Sequence, residues 1–292
     1  MKYLGDFIEK QPCSWLEKAK KCRKKNSFEF NNIAEEISKR YSDYDHLINS
    51  ISTPLIESKF SDNSDLIIEY YESPPKELNI LLLERRNEHK LISCPYCGNP
   101  STPDTLDHFI PKGNWPEFSI FPNNLVPQCR GCAPIKSEKH YCNKNNKAMF
   151  IHPFYFGFIE KFRFCISLTF NKSNNNIIVS VKLKKDKDIA ANEKERFLLH
   201  AEELKIKSRI NRYCLRNYNE WIRRLSNTNF DITLALQQRL KETPPKDIGK
   251  EWKSAFYKAL LENPEAIQYM NSLCPKQVQH QYEDDGEEID FD

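Results

Sequence analysis

Glycine is scarce in this chain, at seven residues in 292, which leaves few positions for left-handed turns or close backbone approach. No GxxxxGK or GxGxxG loop occurs, so the chain is not expected to bind a nucleotide by itself. No run of about 18 apolar residues is present, which removes the expectation of a transmembrane helix or membrane partner. The stretch from Met1 to Lys20 also lacks the apolar segment of a secretory signal, so a cytoplasmic location is expected. No internal repeat of solenoid period is visible. Hydrophobic residues make up 39% and mean hydropathy is −0.71, a polar balance, yet 12% aromatics can furnish a core. Wholesale disorder is therefore not expected.

Cysteine, by contrast, is plentiful at ten residues. In a long cytosolic chain, cysteines point to metal binding or catalysis rather than a disulfide framework. Four of them, with Gly98, Gly113 and Gly131, fall within residues 94–140. Charge is uneven too. Seven of the 41 acids lie in the last ten residues, so residues 1–282 hold 44 bases against 34 acids and the body carries +10 rather than the overall +3. A basic body suits a polyanionic partner.

Periodicity divides the chain into four regions. Residues 1–90 read as helical, with Ile33, Ile37, Tyr41, Tyr44, Leu47 and Ile51 at spacings of three and four. A further helix is predicted from Lys76 to Lys90, after Pro74-Pro75. Residues 91–140 lose periodicity and gain Pro, Gly, Cys and Asn. In residues 141–274, Phe162–Phe170 and Ile177–Val181 flank a polar turn and predict a β-hairpin. Helices then return, including a face of Ile206, Ile210, Tyr213, Asn217, Trp221 and Leu225 and another element from Trp252 to Leu261. The acidic residues 275–292 are expected to be disordered. The expected class is α+β, mainly helical, and length alone suggests about two domains.

Cys94-Pro95-Tyr96-Cys97 and Cys129-Arg130-Gly131-Cys132 are two CxxC knuckles. Each turn puts two thiolates on one side of a metal, and two knuckles complete a tetrahedral, structural zinc site. The gap between them exceeds the usual 15–20 residues, so something folded must lie within it. A glutaredoxin-like dithiol would need a helix after CPYC, and Gly98-Asn99-Pro100 follows instead. Cys13, Cys22, Cys142, Cys165, Cys214 and Cys274 lack knuckle spacing and read as buried small hydrophobes.

Between the knuckles, Asp107-His108 ends a short β-like run and Asn124-Leu125-Val126 leads into the second knuckle. With the two CxxC pairs and Lys136, these residues resemble the HNH nucleases, a ββα-metal family with a zinc-knuckle frame, over about residues 91–140. The resemblance implies an endonuclease that hydrolyses phosphodiester bonds with Mg²⁺ or Mn²⁺. Within it His108 is the general base, Asp107 a metal ligand and Asn124 the brace that orients the histidine. The chemistry is apt: neutral imidazole takes a proton near pH 7, and a hard cation prefers carboxylate oxygen. The second metal ligand is expected at position 133, where Ala133 has no donor atom. An inactivated active nuclease, a chain that has lost full metal binding, and substitution by His140 are the three readings of that departure.

Substrate contact is expected from Lys112 and Lys136 inside the module. Arg209, Arg212 and Arg216 lie on a basic helical stretch that also carries Lys205, Lys207, Arg223 and Arg224. A second basic cluster runs from Lys18 to Lys25. Trp115 and Phe118 are expected to pack against the zinc frame, and His152 to be structural. The module further resembles HNH subunits paired with a separate ATPase in bacterial phage defence, which implies such a partner and a DNA substrate. RNA cleavage and a non-catalytic nucleic-acid-binding or scaffold role are the alternatives.

Overall fold

The computed structural model describes residues 1–274 apart from 52, 54 and 227–229. The acidic segment expected to be disordered lies outside the described residues. The N-terminal region contains α1 (Ser14–Lys20), α2 (Ser27–Asn49), α3 (Ser64–Glu72) and α4 (Lys76–Asn87). In α2 the buried side chains Phe30, Ala34, Ile37, Tyr41, Tyr44 and Ile48 recur every three or four residues, which seats one stripe of the helix in the core. Pro75, in extended conformation, starts α4.

Strands β1 (Thr105–His108) and β2 (Leu125–Gln128) pair antiparallel, with Asp107 opposite Val126 and His108 opposite Leu125. The four-residue helix α5 (Ala133–Lys136) follows the second knuckle, and α4 packs against both strands. Two short strands, β3 (Tyr141–Cys142) and β4 (Ala148–Met149), close a second small sheet. The predicted hairpin is present as β5 (Phe162–Asn171) and β6 (Asn176–Lys185).

The C-terminal region holds α6 (Ala191–Glu203), α7 (Ile206–Leu225), α8 (Ile232–Lys241), α9 (Trp252–Leu261) and α10 (Pro264–Ser272). Three of these have side-chain N-caps: Asp231 on α8, Glu251 on α9, and Asn263 on α10 ahead of Pro264. One face of the hairpin, with Phe162, Phe164 and Ile166, is buried; α9 packs on β5 and α7 on β6. Cys165 falls on the opposite, exposed face, which corrects the expectation of a buried thiol there. Strand alternation is the reason: residue 165 lies between two inward phenyl and isoleucyl positions. Among the described residues, buried side chains from 1–90, 91–140 and 141–274 join one contiguous core that includes Tyr44, the four knuckle cysteines, Phe164, Ile210 and Trp252.

Candidate metal centre and histidine site

The first knuckle turns through Gly98, whose amide donates to the Cys94 carbonyl at 2.8 Å. Gly98 has a φ of +72°, and a Cβ there would meet the Lys250 carbonyl at 2.8 Å, so glycine is required. In the second knuckle the Cys132 amide donates to the Cys129 carbonyl at 2.9 Å. The four sulphurs are buried and lie within 4.8 Å of one another. Cys94 and Cys132 are separated by 4.0 Å, Cys97 and Cys129 by 3.8 Å. A zinc–sulphur bond of about 2.3 Å gives a tetrahedral edge of about 3.8 Å, so the donor set could hold a structural metal such as zinc. Burial pushes the Cys97 thiol up, while hydrogen bonds from Cys132 and Cys94 hold Cys129 down. Four thiolates this close cannot all ionise without a cation among them.

Arg209, expected to grip nucleic acid, is instead 8% exposed and points into this cluster. Its Nη1 donates to Cys132 Sγ at 3.3 Å, and its Nη2 to Cys97 and Cys129 Sγ at 3.5 and 3.6 Å. On α7 it shares the buried face of Ile206, Ile210 and Tyr213, whereas Arg212 and Arg216 are exposed. Arg212 borders an open groove of about 830 Å³ with Lys205, Lys207, Val179 and Val181. In the 18–25 cluster, Lys18, Lys20 and Lys24 pair with Glu77, Glu17 and Glu69.

Asp107 and His108 are neighbours on β1 and project to opposite sides. Asp107 is buried, and its Oδ2 accepts from the Tyr96 hydroxyl at 2.7 Å and from Lys136 Nζ at 3.0 Å. Lys136 also reaches Oδ1 at 3.1 Å and the Phe109 carbonyl at 3.2 Å. It has no exposed surface, so the expectation that it contacts phosphate is corrected: α5 directs its ammonium inward to the carboxylate. Lys112 remains partly exposed, ion-paired with Glu72 and 5.4 Å above the Tyr71 ring.

Asn124 is buried and uses its whole amide. Oδ1 accepts from the Ile110 amide and the Tyr44 hydroxyl, each at 2.7 Å, and Nδ2 donates to the Ile110 and Phe118 carbonyls at 2.9 and 3.1 Å. The Asn124 carbonyl also receives the Phe109 amide at 2.9 Å. The segment after β1 is thereby bolted to the start of β2. Phe118 packs on Tyr41 and Tyr44 of α2.

Four histidines bond a backbone carbonyl through Nε2: His89 to Pro103, His108 to Ser119, His152 to Asn123 and His200 to Tyr96. A carbonyl only accepts, so in each ring Nε2 carries the proton and Nδ1 the lone pair. In His89, His152 and His200 a backbone amide (Leu91, Phe154, Ile151) donates to Nδ1. In His108 Nδ1 has no hydrogen-bond partner among the described residues, and the ring is half-buried with Tyr71 edge-on at 4.3 Å. Burial pushes its pKa down to about 4, which keeps the imidazole neutral near pH 7.

A divalent ion beside Asp107 does not fit the residues present. Both carboxylate oxygens are bonded to a buried ammonium, and Ala133 offers no donor. His140 packs its ring on Trp115 and Tyr141, each at 4.9 Å. Among the described residues, the four cysteines are the one group of three or more potential ligands within reach of a common ion. Tyr96, Tyr71, Tyr44 and the Ser119 carbonyl were not foreseen. Of these, only Tyr96 sits inside a motif, and nothing in CPYC signals its bond to Asp107.

No family model matches the chain, and no solved structure matches it. A 39-residue stretch is 51% identical to Protein ea31 of Escherichia phage lambda, which covers 13% of this chain and 13% of that protein.

Proposed function

We propose that residues 91–140 form an HNH-type nuclease module acting on nucleic acid, DNA first, with His108 as the general base. The observation that carries this is the His108 ring: Nε2 is tied to the Ser119 carbonyl while Nδ1 keeps its lone pair. A ring so held can take a proton from a water at Nδ1 without rotating or changing tautomer. Asn124 supports the geometry by fixing the Ile110 and Phe118 carbonyls on either side of that loop. Lys112 at the rim, with Arg212 and Arg216 on the exposed face of α7, supplies positive surface for a phosphate backbone. A separate ATPase as partner, in an anti-phage role, belongs to the same proposal and rests on the family resemblance.

The metal-binding half of such a site is incomplete in this chain, and no step is assigned to a metal here. Lys136 bonded to Asp107, together with Ala133, favours a second reading, a nucleic-acid-binding subunit without hydrolysis. Cleavage of plasmid and of total RNA with Mg²⁺ or Mn²⁺ separates the readings. The nuclease reading requires Asp107 to exchange Lys136 for the ion once a donor stands at 133; Ala133→Asn is then expected to cut, and Ala133→Asn with His108→Ala is expected not to. A folded Ala133→Asn variant that binds the ion yet cuts neither substrate overturns the nuclease proposal.

A further inference from the structure

We infer that Arg209 is a positioning residue of the Cys94–Cys97–Cys129–Cys132 metal centre, setting its metal affinity and the donor strength of its sulphurs. Zinc with four thiolates leaves about two excess negative charges, and a buried cluster of that charge needs a cation close by. Among the described residues, Arg209 is the buried cation that bonds it. Its guanidinium donates to three of the four sulphurs, at 3.3, 3.5 and 3.6 Å, and to the Leu204 carbonyl at 3.2 Å. It is permanently charged and planar, so one group can serve sulphurs from both knuckles.

Two further features look built for it. A Cβ on Gly131 would lie 2.6 Å from Arg209 Nη2, so the glycine of the second knuckle is the opening through which the guanidinium reaches the sulphurs. On another side lies the Trp252 ring, 5.3 Å from the guanidinium carbon, with its indole Nε1 donating to the Cys97 carbonyl at 2.7 Å. Knuckle, tryptophan and arginine come from three separate parts of the chain. Outer partners of this kind commonly change metal affinity by about 10–100-fold.

This inference is independent of the nuclease reading, because it concerns the sulphur cluster alone. The test uses the full chain and two readouts: zinc affinity by chelator competition, and the charge-transfer spectrum with cobalt(II) in place of zinc. Arg209→Met is expected to weaken zinc binding by about 10–100-fold. It also shifts the sulphur-to-cobalt band to longer wavelength, because sulphur lone pairs that lose N–H donors rise in energy. Gly131→Ala should move both readouts the same way by displacing the guanidinium while keeping its charge, and Arg209→Lys should fall between Met and Arg. If Arg209→Met does not fold, Gly131→Ala and Arg209→Lys decide. Folded variants with unchanged affinity and an unchanged band overturn the role of Arg209. A wild-type cobalt spectrum without tetrahedral four-thiolate character overturns the metal centre itself.

Discussion

The two ends of the β1–β2 unit treat their polar atoms in opposite ways. At the knuckle end four sulphurs converge, three of them take guanidinium hydrogen bonds, and the cluster is buried. At the other end His108 ties down one nitrogen and leaves its second nitrogen without a partner among the described residues. The sulphur end saturates its donors, whereas the proposed general base keeps a lone pair open. Asp107, between the two, behaves like the first kind, enclosed by Lys136 and Tyr96.

The comparison breaks most decisively if the sulphur end is not a metal centre. Structural zinc contributes about 10–16 kcal/mol in small zinc modules, comparable to or above the whole stability of a typical domain. Cys97→Ser, or a strong chelator under reducing conditions, is therefore expected to abolish the cooperative thermal transition of the module. Melts that coincide with and without chelator would remove the metal centre from the comparison.

A smaller effect is expected at Asn124, which joins the two ends. Asn124→Ala strands the Ile110 amide and carbonyl, removes the acceptor of the Tyr44 hydroxyl, and leaves the Phe118 carbonyl with only the Phe121 amide. At about 1–3 kcal/mol for a buried unsatisfied group, a loss of about 3–5 kcal/mol should appear in urea midpoints. A loss under about 1 kcal/mol would mean that the loop around His108 does not depend on this brace.

The histidines sharpen the contrast with the least change. His200 is fully buried with both nitrogens bonded, and burial pushes its pKa down to about 4. The folded state therefore resists protonating it while the unfolded chain takes a proton near pH 6.5. Its contribution is fully present above about pH 6.5 and is lost as pH falls toward 4, up to about 3 kcal/mol. Urea melts at pH 7.5 and 5 should show the decline, and His200→Gln should remove its share, the rest coming from His108, His140 and His152, whose pKa values burial also lowers. His108→Gln, at a half-buried ring with one hydrogen bond, is expected to cost only about 1 kcal/mol at pH 7.5.

Local patterns were legible and long-range ones were not. The CxxC turns, the hairpin and the helices Ile206–Leu225 and Trp252–Leu261 follow from spacing within a few residues, and they occur where the pattern puts them. Lys136 and Arg209 defeated the same logic, because a cation on a helix reads as solvent-facing unless its buried counter-charge is known. Those counter-charges lie 29 residues away for Lys136 and 77 or more for Arg209. The free nitrogen of His108 was invisible for a similar reason. Seven histidines look alike in sequence, and what separates them is which backbone groups happen to meet the ring.

The distance from Cys132 to Arg209 also has a consequence in time. Cys132 completes the set of four sulphurs, but the guanidinium that bonds them follows 77 residues later. At a synthesis rate of about 5–20 residues per second, a nascent chain carries all four thiols for roughly 4–15 s before Arg209 has been made. During that interval the cluster is most open to the wrong oxidant or the wrong ion, and a metal acquired early would protect it until α7 arrives.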